Sequence, residues 1–166
     1  MTLPSQPFEV QPRSLNAVQR LVDELRLYAS RGFPLTLPLR DTDIPLNVDA
    51  DGNSSLALPA WHAPEDGWVL RTAYLLVGSK KRSRYADPSL DVTVRIRSST
   101  GSTDLGSFSS MSAEATAGVP LALGQQPLDR AVPRGAWVEV LVEQSGSPVM
   151  TASDAAVSFV FARTGA

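Results

Sequence analysis

A chain of 166 residues with no cysteine and a formal charge of −2 is one domain's worth of protein. The missing thiols exclude disulfides, thiolate zinc sites and thiol catalysis, and they fit synthesis in a reducing cytosol. The near-neutral charge supplies no global attraction toward nucleic acid or an anionic membrane.

The chain opens Met1-Thr-Leu-Pro-Ser-Gln-Pro, with neither a basic nor an apolar leader, so no signal peptide is expected. No apolar run approaches the ~20 residues that span a bilayer. Pro4, Pro7 and Pro12 predict an extended arm over residues 1–13, reaching roughly 40 Å at ~3.1 Å per residue. Such an arm either frays or orders against a neighbour, with Phe8 and Val10 as its anchors.

Ser14–Arg31 reads as the one helix. Ser14 is a good N-cap, and Leu15, Val18, Leu21, Val22, Leu25, Tyr28 and Ala29 share one helical face. Gly32 and Pro34 close it, so the helical segment is taken as residues 14–32, about 25 Å long. Residues 33–166 are then the β domain. Pro34, Pro38, Pro45 and Pro59 confine residues 33–60 to edge strands or extended loops. Ile44–Val48 and Ser54–Leu58 flank Asp49-Ala-Asp-Gly-Asn53 as a hairpin.

Pro64-Glu65-Asp66-Gly67 is a turn into Trp68–Val77, the longest mostly apolar run. Both of its alternating faces are mostly apolar, which predicts a central strand covered on both sides. A basic loop, residues 78–88, follows. Leu90–Arg97 has Leu90, Val92, Val94 and Ile96 on one face and Asp91, Thr93, Arg95 and Arg97 on the other. After a turn at Ser98–Thr103, Leu105–Met111 and Val119–Leu123 read as shorter strands, and Pro127–Gly135 as a connection. Trp137–Val142 and Ala155–Ala162 close the chain as strands. About eight short strands with turns every 8–12 residues imply an antiparallel two-sheet sandwich, jelly-roll-like, with one N-terminal α-helix.

Few residues suggest chemistry. His62 is the only histidine, and no Gly-x-Ser-x-Gly elbow accompanies it, so it reads as a surface or turn residue. One histidine without cysteine argues against zinc, copper or iron. Asp49–Ser54 is partly like a calcium loop but lacks the later bidentate Glu and the flanking helices; Asp41 and Asp43 would have to converge on it. Neither a cofactor nor a resident metal is expected. Lys80, Lys81, Arg82 and Arg84 form the strongest charge cluster, either a solvated loop or a contact for an acidic protein surface. The acids between Asp41 and Asp66 on a neighbouring copy are one such surface. Of the three tryptophans, Trp61 is the one expected at the surface, where it could stack on a sugar; Trp68 and Trp137 open strands and are expected to pack.

Ala63-Pro-Glu-Asp-Gly-Trp-Val69 and Gly135-Ala-Trp-Val-Glu-Val140 resemble the strand-opening segments of jelly-roll decoration, or cement, proteins of tailed bacteriophages. Ala136 departs from that pattern, which has Asp there. The resemblance spans about residues 60–163. It implies a non-enzymatic structural virion protein on the capsid exterior, made in the host cytoplasm. Its partners would be the major capsid protein and further copies of itself, with attachment through Phe8, Val10 and the basic loop. A carbohydrate-binding or adhesin-like sandwich shares the same strand chemistry and remains the alternative, with an enzyme third.

Overall fold

The computed structural model describes residues 32–39, 54–83, 89–145, 152 and 154–164. The arm, the helix over Ser14–Arg31 and the strand Ile44–Val48 lie outside the described residues, as do Phe8, Val10 and Arg84. Nine strands are described: β1 Phe33–Pro38, β2 Ser54–His62, β3 Trp68–Val77, β4 Ser89–Ser98, β5 Gly101–Ser109, β6 Leu121–Ala122, β7 Arg130–Val132, β8 Trp137–Ser145 and β9 Ala155–Arg163.

They form two antiparallel sheets. The first runs β1–β9–β3, and both β7 and β6 pair along the far edge of β3. The second runs β2–β8–β4–β5. Except for the β4–β5 hairpin and the β6–β7 pair, successive strands lie in different sheets. The proline-bearing strands β1 and β2 are edges, where a missing ladder donor costs least.

One core joins the sheets. Val157, Phe159 and Phe161 of β9 and Leu90, Val92 and Val94 of β4 are fully buried, as their alternation predicts, and Ile96 is half-buried. Val138, Val140 and Val142 of β8 lie beside the β4 residues in the second sheet and face those of β9 across the sandwich.

β3 departs from a simple two-residue alternation. Its register against β9 shifts between Leu70 and Thr72. Arg71 is thereby exposed, and it pairs with Asp129 at 2.7 Å. The bulge lets Leu70, Ala73, Leu75 and Val77 all enter the core, because one extra residue swaps the faces. Thr72, Tyr74 and Leu76 are only half-buried, so the expectation of a strand covered on both faces is corrected: one face is core and the other partly open.

Other boundaries also move. The turn expected at Ser98–Thr103 is a tight hairpin pairing Ser98 with Gly101, and β5 begins there. Arg130–Val132, expected to be connection, is a short strand on β3, hidden in sequence by Pro127 and Pro133. Trp137–Val142 continues to Ser145 because β2 and β4 pair with it on both sides. Gly106 marks the closest approach within the fold. A Cβ there would lie 2.4 Å from the backbone of Leu123 and Gly124, so β5 and this segment close the sandwich edge only without a side chain.

The two ends differ. Residues 63–67, 99–100 and 133–136 make short turns at one end. At the other, β1, β3, β5 and β8 finish and β2, β4 and β9 begin. The longest connections between described strands therefore leave from that second end.

Candidate interaction surfaces

The basic segment starts there. Gly78 N–H donates to Asp154 O at 2.9 Å, Lys81 and Ala115 exchange backbone bonds at 2.9 and 3.0 Å, and Ser83 N–H reaches Ser110 O at 2.7 Å. Held extended in this way, the segment sends alternate side chains to opposite sides. Lys81 turns inward: its side chain is 8% exposed, and its ammonium lies 2.6 Å from Asp154 Oδ1. Ser79 Oγ donates to the other oxygen of the same carboxylate. Lys80 and Arg82 turn outward and share Glu114 Oε2, at 3.0 and 3.3 Å. Together with Ser83 and the exposed Met111, these three residues line a surface depression of about 500 Å³.

All three described cations of the cluster therefore meet carboxylates of their own chain. Of the acids proposed as their partner surface, Glu65 and Asp66 sit at the opposite end and are engaged. Glu65 lies 2.9 Å from Arg163, and Asp66 accepts the backbone N–H of Arg134 at 2.9 Å. Asp41, Asp43, Asp49 and Asp51 lie outside the described residues.

The pairing shifts both acids. Hydrogen bonds from Lys80 and then Arg82 hold the Glu114 carboxyl below its usual range. Burial pushes Asp154 upward, but the bonds from Lys81 and Ser79 outweigh it, so its carboxyl also titrates low. A depressed folded pKa stabilises above the unfolded value and is lost as pH falls through the folded one. Wild type and Asp154→Asn should therefore differ in melting temperature at about pH 6 and converge near about pH 2. A constant gap across that range, followed by calorimetry, would show that the carboxylate charge contributes nothing.

Trp61 and Trp137 reverse their expected roles, while Trp68 packs as expected. Trp61 lies beyond a register shift in β2 that keeps it in phase with the inner face, opposite Val138. Its ring packs 4.6 Å from Phe161 and 5.2 Å from Trp68, and Phe33 completes the cluster at the short-turn end. Trp137, expected to pack, is 43% exposed on the outer face of the second sheet. Exposed His62 is its cross-strand neighbour, with ring centroids 4.6 Å apart. Arg97 flanks Trp137 on the other side. One row along, Glu139 Oε2 accepts from Arg95 Nε at 3.2 Å, and its Oε1 lies 3.5 Å from Arg97 Nη1. Sequence reasoning singled out neither Trp137 nor Glu139 as part of a surface. The signal was the spacing Trp137, Glu139, Leu141, Glu143, but it acquires meaning only when β4 supplies Arg95 and Arg97 beside it.

No group of three or more His, Asp or Glu side chains among the described residues is placed to hold a metal ion. No family model matches the chain, and neither curated proteins nor solved structures provide a match.

Proposed function

We propose that the chain is a structural virion protein that decorates a bacteriophage capsid lattice and stabilises it by protein–protein contacts. The strand order carries this reading. β1–β9–β3 with β6 and β7, facing β2–β8–β4–β5, is the wrapping of a jelly roll, with strands taken in turn from each sheet. That wrapping gathers the long connections at one end, where Lys80, Arg82, Met111 and Glu114 form a charged rim around an exposed apolar side chain. An interface of that composition attaches weakly per site but firmly over many copies.

The same geometry sets the test. Lys81 should be kept, because its ammonium is buried against Asp154. Lys80→Ser with Arg82→Ser should fold normally, dissociate faster from purified particles and flatten the salt dependence of binding. Glu114→Gln frees both cations and should act the other way, steepening that dependence. If both variants bind particles as wild type does at every salt concentration, this rim is not the attachment surface.

A further inference from the structure

We infer that the outer face of the second sheet binds a glycan, with a neutral pyranose stacked on Trp137 and held by Arg97, which Glu139 positions. The inference is independent of capsid attachment. Cross-strand register builds the site as two adjacent rows: His62, Trp137 and Arg97, then Glu139, Arg95 and Asp104. A pyranose presents a face of C–H groups and a rim of hydroxyls. The negative face of an indole attracts polarised C–H groups, and a planar guanidinium donates to neighbouring hydroxyls in pairs.

Three observations favour this ligand. The site is already organised: the Glu139 side chain is 8% exposed and Arg95 18%, each fixed by the other, while Arg97 is 60% exposed and tethered by Glu139 at 3.5 Å, with its remaining donors open to solvent. Little ordering is then needed on binding. Arg95 and Arg97 balance Glu139 and Asp104 in charge, which suits a neutral sugar over an anionic one. Finally, Trp137 is an isolated exposed apolar side chain between His62 and Arg97, whereas a protein partner would favour a contiguous apolar patch.

The full-length protein would be titrated with soluble hexaoses of β-1,4-glucose, N-acetylglucosamine, mannose and xylose, followed by calorimetry and tryptophan fluorescence. Saturable binding to at least one is expected. Trp137→Ala and Arg97→Ala should each weaken it about tenfold or more at unchanged melting temperature, and Trp137→Tyr should retain most of it. Should Trp137→Ala fail to fold, Trp137→Tyr and Arg97→Ala decide the question. Absence of binding to all four sugars overturns the inference, as does affinity unaffected by these substitutions. Loss of particle attachment in Trp137→Ala, with no sugar bound by wild type, would assign the row to a protein partner and equally overturn it.

Discussion

Leu75→Asp should leave no stably folded protein, while Leu76→Asp should fold. The two positions are adjacent on β3 and equally apolar in sequence. Leu75 is fully buried opposite Val157, which is also fully buried, whereas Leu76 lies half-buried on the outer face opposite Ala156. A carboxylate at position 75 has no partner in a core of Val, Leu and Phe. Its burial costs several kcal/mol even after the group protonates, against a total stability of about 5–15 kcal/mol for a domain. At position 76 the new carboxylate reaches solvent, and the expected loss is about 1 kcal/mol. Circular dichroism melts and size-exclusion profiles of the two variants check this directly. If Leu76→Asp aggregates and Leu75→Asp melts like wild type, the face assignment of β3 is inverted.

That pair of residues also shows where the sequence is informative. β4 and β9 are legible because nothing interrupts their alternation: Val92 and Val94, or Val157, Phe159 and Phe161, fall on one face from end to end. A bulge breaks this inference, because one extra residue exchanges the faces of everything beyond it. The bulge at Arg71 makes Leu76 an outer residue, and the one between Pro59 and Trp61 brings Trp61 inward. Neither is marked by a residue type that only a bulge tolerates. β7 was hidden differently. A short strand between prolines has too few residues to alternate, and it forms because β3 has an edge left to pair.

The charged surfaces were legible only by half. The run Lys80-Lys-Arg is plain in the sequence, and its repulsion is a sound expectation for an isolated loop. Glu114 and Asp154, which neutralise it, come from chain segments far away in sequence. Glu139 is a parallel case: as an acid on the outer face of an apolar strand it reads as ordinary alternation, until Arg95 and Arg97 from β4 fall beside it. Non-local register decides what a charge does, and alternation within one strand carries no information about it.

Phe161→Ala should be the most damaging truncation in the aromatic cluster. Phe161 is fully buried at the end of β9, paired to Phe33 on one side and Leu70 on the other. Its ring stacks on Phe33 at 5.2 Å, lies 4.6 Å from Trp61 across the sandwich, and is 5.9 Å from Phe159. With Phe33 and Trp68 it is one of three rings of the first sheet that meet Trp61 of the second at the short-turn end, and its centroid lies nearest. Removing it deletes apolar contact on both sheets and leaves a space that large, ring-shaped neighbours fill poorly. Such truncations cost about 3–5 kcal/mol, which for a chain of this size lowers the melting temperature by roughly 6–20 °C. Phe161→Leu retains much of the apolar volume and should lose clearly less. Because Trp61 borders the gap, the folded Phe161→Ala protein should also emit at longer wavelength than wild type. Melting and emission unchanged from wild type would mean that these rings do not hold the sheets together.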